Sequence, residues 1–144
     1  MPETAATLRV NVKLNDLTNR VKIINKCAYN KTTMVKMKVP IDGQYGLASI
    51  YRDDKFSRQV EIESIVLGDI LKSFNTIKLV KIDVEGSELE VLEGMHLTLC
   101  NVNYIIIELT RNKKEVLNLL KCNGFNIKPL GHRCYFLLHA SVST

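Results

Sequence analysis

Residues Ile77 to Met95 read IKLVKIDVEGSELEVLEGM, and this stretch decides the fold class. Ile77-Lys78-Leu79-Val80-Lys81-Ile82 is a short, mainly apolar run of strand length. Asp83-Val84-Glu85-Gly86 ends it, with a glycine where a tight turn needs conformational freedom. Ser87 to about Leu99 then changes period. Leu89, Leu92, Met95 and Leu99 recur at helical spacing and line one face. Ser87 and Glu90 form an S-x-x-E pair, which predicts a reciprocal capping box at the start of this helix.

The same alternation continues downstream. Tyr104-Ile105-Ile106-Ile107 is a continuous apolar run, as expected of a strand covered on both faces. Thr110 is placed to cap a helix whose apolar stripe is Val116, Leu119 and Leu120. Gly124 stops that helix, with Phe125 positioned for the accompanying apolar contact. Phe125 to Leu130 and Cys134 to His139 are two closing strands joined at Gly131.

Upstream, Ala5, Leu8 and Val12 predict a helix from Pro2 to about Leu14, broken by Asn15-Asp16. Val21–Ile24 reads as a short strand, and Lys31–Val39 as a half-exposed one. Pro40, Gly43 and Gly46 mark a loop. Val60–Ile65 alternates as a strand, and a helical turn follows from Val66 to Phe74. The pattern predicts an α/β domain with a largely parallel sheet and an antiparallel closing strand.

At 144 residues, the chain is expected to form one domain, spanning 1–144. Hydrophobic residues make up 46% and charged residues 24%, which excludes a disordered chain. No apolar run approaches the ~20 residues that span a bilayer, and Met1-Pro2-Glu3-Thr4 does not open a signal peptide. The net charge of +5 is mild and reads as solubility. With 6% aromatic residues and no Trp, no stacking platform for single-stranded nucleic acid is evident. Cys27, Cys100, Cys122 and Cys134 form no C-x-x-C pair and have no histidine at zinc spacing. Each lies beside apolar residues, so buried reduced thiols, a cytoplasmic location and no metal centre are expected. Neither a phosphate-binding Walker loop nor G-x-G-x-x-G is present.

Ligands of open α/β sheets bind beyond the carboxyl ends of the strands. Asp83 and Glu85 follow one strand, and Glu108 follows another. If those strands are neighbours, the carboxylates share a crevice, where one can take a proton from a hydroxyl or hold it. The alternative is that they complement helix dipoles, which suits Glu85 and Glu88 better than Asp83. Arg111, Lys113 and Lys114 fall near a helix start, where positive charge opposes the dipole. They are either a solvated basic face or a place for a substrate phosphate or carboxylate.

K-I-D-V-E-G-x-E-x-x-V-L-x-G, spanning Lys81 to Gly94, resembles the FkbM family of S-adenosylmethionine-dependent methyltransferases. Asn11-Val12-Lys13-Leu14-Asn15 is similar to the family's N-x-x-L-N segment, and Gly46-Leu47-Ala48-Ser49 to its G-x-x-S loop. Ile105-Ile106-Ile107-Glu108 is similar to its strand ending in Glu, and Cys27-Ala28-Tyr29 to the strand that ends near the cofactor's adenine. The resemblance implies a Rossmann-like methyltransferase sheet. It implies methyl transfer from S-adenosyl-L-methionine to a hydroxyl of a sugar or small metabolite. Asp83 is then expected as base or orienting group and as a cofactor contact, with Glu108 as second choice of base. Ala28 is expected to touch the cofactor, and Glu85 and Arg111 the substrate.

The family's D-x-G-A-N-x-G loop and the Glu-Pro that binds the ribose have no counterpart after Met1. The sheet is therefore expected to lack its first two strands, between the Val21–Ile24 and Ile77–Ile82 strands. Two readings follow: an O-methyltransferase of this family, complete or as a fragment of a longer enzyme, or a non-catalytic α/β binding or assembly module descended from one. An open sheet edge would also favour self-association.

Overall fold

The computed structural model describes residues 1–41, 45–51 and 57–142. Gly43, read above as part of a loop, lies outside them. The elements, in order, are α1 (Pro2–Leu14), β1 (Cys27–Tyr29), β2 (Met34–Pro40), β3 (Ser57–Val66) and α2 (Leu67–Leu71). There follow β4 (Ile77–Ile82), α3 (Glu88–Glu93), β5 (Val102–Glu108), α4 (Lys113–Cys122), β6 (Phe125–Pro129) and β7 (Cys134–His139). Short 3-10 turns cover Tyr45–Leu47 and His96–Asn101.

The described strands form two sheets rather than one. The first has the order β1-β3-β2 and the second β4-β5-β7-β6. The β1–β3 and β4–β5 pairs are parallel, while β2–β3, β5–β7 and β6–β7 are antiparallel. The sheet expected to be largely parallel is therefore mixed. The reason is connectivity: β6 and β7 follow each other through a short turn, which only an antiparallel pair allows. The alternation of strands and helices still gives an α/β protein.

Val21–Ile24 is not a strand. Val21 and Ile24 are exposed, and among the described residues no neighbouring strand supplies a ladder. Pairing begins at Cys27, which lies opposite Ser64. Among the described residues, β1 and β4 each have a strand on one side only, and Leu79 of β4 is half exposed.

The core lies under the second sheet. Ile105 and Ile107 of β5 are fully buried in one cluster with Leu92 and Met95 and with Val116 and Leu120 of α4. Side chains of this size stabilise by roughly 1.5–3 kcal/mol each when fully buried. Gly124 takes φ of +81° just after α4, and Phe125 is buried beside it, as the helix-stop pattern requires. The helix α1 runs from Pro2 to Leu14, but it buries Ala5 and Val12 only; Leu8 and Leu14 face solvent. Cys100 and Cys122 are exposed rather than buried, because they fall on the outer faces of their turns, while Cys27 and Cys134 are half-buried. All four are free thiols. No helix among the described residues is long and apolar enough to cross a membrane.

The expected helix from Ser87 to Leu99 breaks at Gly94. A Cβ placed there would lie 2.4 Å from the Tyr29 carbonyl oxygen. Gly68, at the start of α2, donates its N–H to the Gly94 carbonyl at 2.9 Å. Backbone thus packs on backbone where β1, α2 and α3 meet. Gly94 has φ of −67° and ψ of −12°, ordinary for alanine, so the requirement for glycine is steric. Gly94→Ala should lower unfolding free energy by roughly 1–3 kcal/mol in urea titrations, the usual cost of overpacking. Gly131→Ala, whose Cβ meets open space, should change stability by less than about 0.5 kcal/mol.

Candidate functional site

The turn after β4 builds the site. Glu85 and Gly86 have φ of +51° and +108°, so two successive residues adopt left-handed conformations and reverse the chain. For a residue with a Cβ this conformation is costly, and something must hold it. Glu88 does so. Its side chain is fully buried, and its Oε1 accepts the Gly86 N–H at 2.9 Å and the Thr110 hydroxyl at 2.8 Å. One carboxylate therefore ties the end of β4 to the segment that follows β5.

Glu90, two residues further, makes the second tie. Its Oε1 accepts from the Tyr51 hydroxyl and from the Arg111 guanidinium at 3.3 Å. The Arg111 guanidinium carbon also sits 3.4 Å from the centre of the Tyr51 ring, a cation–π contact. The Tyr29 and Tyr51 hydroxyls are 3.3 Å apart. Desolvation, then the hydrogen bond to Glu90, push the Tyr51 hydroxyl well above the usual phenol range. The network joins β1, the 45–51 segment, α3 and the end of β5.

These contacts replace the caps read from the sequence. Glu90 does not return to Ser87, whose hydroxyl instead donates to the Val84 carbonyl at 3.3 Å. Thr110 does not cap α4, because its hydroxyl is held by Glu88; Asn112, at φ of +49°, occupies the cap position. Nor does Arg111 oppose a helix dipole. It precedes the cap and its charge is compensated by Glu90. Lys113 is placed 5.1 Å over the Tyr135 ring. In each case a tertiary partner outcompetes the local one.

Above this framework lies a cleft of about 250 Å³ at the carboxyl ends of β4 and β5. Glu85, Thr110, Arg111 and Arg133 line it, with Ser49 and Leu47 closing one side. Ser49 is buried and donates to the Glu85 carbonyl at 2.5 Å, which anchors the 45–51 segment on the turn. Ala28 lies in a separate cleft of about 260 Å³, walled by Met37, Ala48, Ile50 and Val84. The two clefts share a wall: residues 47, 49 and 51 line the first and residues 48 and 50 the second.

Of the expected site residues, Glu85 and Arg111 come together in the first cleft and Ala28 lines the second. Asp83 lines neither. Its carboxylate is partly exposed and pairs with Lys81 at 2.7 Å, which raises the Lys81 ammonium pKa. Asp83 and Glu108 lie one residue beyond the paired Ile82 and Ile107, so they end adjacent strands. Desolvation raises the Glu85 carboxyl above the usual 4.5, and the Asp83, Glu108 and Glu88 charges raise it further, with Arg133 pulling against them. Glu88, Glu90, Tyr51 and Arg133 were not singled out as site residues by sequence reasoning. A glutamate at the first helical position looks like a dipole partner, and nothing local announces that it is buried.

A raised carboxyl pKa favours protonation in the folded state. Its stability contribution is therefore complete below the unfolded value and is lost as pH rises through the folded one. Glu85→Gln should raise the thermal midpoint at pH 7 relative to the parent chain. The gain should disappear below about pH 4, where both states of Glu85 are protonated.

Among the described residues, no group of three or more His, Cys, Asp or Glu side chains converges to hold a metal ion. No curated protein and no solved structure matches the chain. The family model described as the methyltransferase FkbM domain matches residues 1–127, which include every element from α1 to the middle of β6. This match, over most of the chain, places it in the FkbM methyltransferase family.

Proposed function

We propose that the chain serves as an S-adenosyl-L-methionine-dependent O-methyltransferase acting on a hydroxyl of a sugar or other small metabolite. The observation that carries this reading is Glu85. It is a carboxylate of raised basicity that lines a cleft at the ends of two adjacent parallel strands, in a chain of a methyltransferase family.

The second cleft is the place to test against the cofactor. Its apolar walls, with Ala28 at one side, suit a purine. Among its described lining residues Lys26 carries the only charge, and Lys26 is held by Glu63 at 2.5 Å. The cleft thus offers a purine a home and gives the ribose hydroxyls no carboxylate. The cofactor, when bound, supplies an electrophilic methyl group.

The chain's own residues do the rest. A hydroxyl is a poor nucleophile near neutral pH, so a carboxylate that accepts its proton speeds attack. In this reading Glu85 is the base. Asp83 is less suited to that role, since its carboxylate is engaged by Lys81 and it lies outside the cleft. Asp83 and Glu108 act instead through Glu85, holding its pKa up by like charge. Thr110 and Arg111 orient the acceptor, with Glu88 and Glu90 fixing where they stand.

The test is methyl transfer from S-adenosylmethionine to a panel of sugars and small hydroxylated metabolites, read by mass spectrometry. Glu85→Gln should lower turnover by about 10²–10⁴-fold, the range for loss of a general base. Asp83→Asn should shift the acid limb of the pH–rate profile downward while retaining much of the maximal rate. A second reading, a non-catalytic binding or assembly module, is favoured by the lack of a ribose partner in the second cleft. Calorimetry showing no S-adenosylmethionine binding by the folded chain would select it.

A further inference from the structure

The first cleft contains more than a base. Arg111 is locked in place by Glu90 and by the Tyr51 ring, yet only one of its N–H groups is engaged by that carboxylate. A guanidinium has five N–H donors in a rigid fork, so most of Arg111's remain open to a ligand. Arg133, on the approach to β7, lines the same cleft and makes no ion pair or hydrogen bond through its guanidinium among the described residues. Its reach is sensed across the cleft, where it lowers the Glu85 carboxyl against the neighbouring acids. The cleft is therefore lined by one carboxylate and two arginines.

Charge arithmetic separates this cleft from its surroundings. Asp83 is matched by Lys81, and Arg111 by Glu90. That leaves Glu85 and Arg133 as the charges that line the cleft without a bonded partner among the described residues. A neutral polyol would meet Glu85 and leave the arginine donors to water. An acceptor with a hydroxyl and an anionic group would satisfy both. The volume of about 250 Å³ lies below the ~300 Å³ at which pockets for drug-sized ligands begin, which suits a single ring or short chain.

We propose that the acceptor is a small hydroxylated anion, whose carboxylate or phosphate is held by Arg111 and Arg133 while a hydroxyl faces Glu85. Thr110 lines the same rim, with its hydroxyl already given to Glu88, so the arginines are the donors for the anionic group. Charge-assisted bonds to a guanidinium are stronger than neutral ones and, when bidentate, fix orientation. The anion would thereby set which hydroxyl meets the base. This inference rests on the first cleft being the acceptor site, and it needs no cofactor to be tested.

The experiment is protein-observed NMR of the full chain without cofactor, titrated with D-glucuronate, D-glucose 6-phosphate and D-glucose. Glucuronate or the phosphate ester should shift the Gly86 and Thr110 amide resonances, and glucose should not. The stronger of the two anions identifies carboxylate or phosphate as the preferred group. Arg133→Gln, at an exposed position that does not threaten folding, should weaken binding of that anion about tenfold, equivalent to ~1.4 kcal/mol. Raising salt should weaken it as well. Equal binding of glucose, anion binding that ignores Arg133→Gln, or no shift with any of the three would overturn the proposal. Anion binding without any S-adenosylmethionine binding in calorimetry would sink the methyltransferase reading and leave the cleft standing as an anion-binding site. Cofactor binding with no anion preference would do the reverse.

Discussion

The Tyr29 carbonyl rests against Gly94 with no room for a Cβ, and the Gly94 carbonyl in turn accepts from Gly68. The two sheets share no ladder among the described strands, so this backbone contact couples them. It fixes the end of β1 relative to the C-terminal end of α3. The N-terminal end of α3 carries Glu88 and Glu90, which hold the turn after β4 and the segment after β5. A helix of six residues thus connects the first sheet to the site through one end and frames the cleft through the other. Glycine is required at 94 for the same reason that carboxylates are required at 88 and 90. Each position is set by what lies against it, and none by helix propensity.

Burying Glu88 is expensive unless its oxygens are bonded. Oε1 receives two donors, while Oε2 of both Glu88 and Glu90 has no partner among the described groups. The apolar alternative would pack as well and cost less, but it could not hold two consecutive residues in left-handed conformations. The Gly86 amide needs an acceptor in that turn, and Glu88 is two residues away. The proposed base and the local strain therefore meet in one place, the turn that carries Glu85. Like-charge crowding around Glu85 has the same character. Asp83, Glu108 and Glu88 destabilise its ionised form, and a carboxylate so placed takes up a proton more readily than a solvated one.

Much of the architecture is legible in the sequence because it depends on repeats within a segment. The β4 strand from Ile77 to Ile82, the α1 boundaries and the Gly124 stop match the period and glycine signals. Short apolar runs were less informative. Val21–Ile24 has the composition of a strand and lacks a neighbour, whereas Cys27–Tyr29 has little strand character and a neighbour in β3. The S-x-x-E spacing at Ser87 is a capping pattern in isolation. In the folded chain Tyr51, distant in sequence, offers Glu90 a better partner. Local pattern is outweighed wherever a buried polar group can be satisfied from elsewhere in the chain.

What the sequence by itself determined is the succession of strands and helices, the acidic residues at the strand ends and the motif from Lys81 to Gly94 that identifies the family. Those features are encoded in spacing along one segment, where hydrophobic period and glycine placement act directly on the backbone. Only the tertiary structure decided that the described strands form two mixed sheets, that Glu85 rather than Asp83 lines the cleft, and that Arg111 and Arg133 line it too. Those outcomes depend on which of several competing donors and acceptors are brought within hydrogen-bonding distance. The distances between residues as remote as 51 and 90, or 88 and 110, are set by packing of the whole chain.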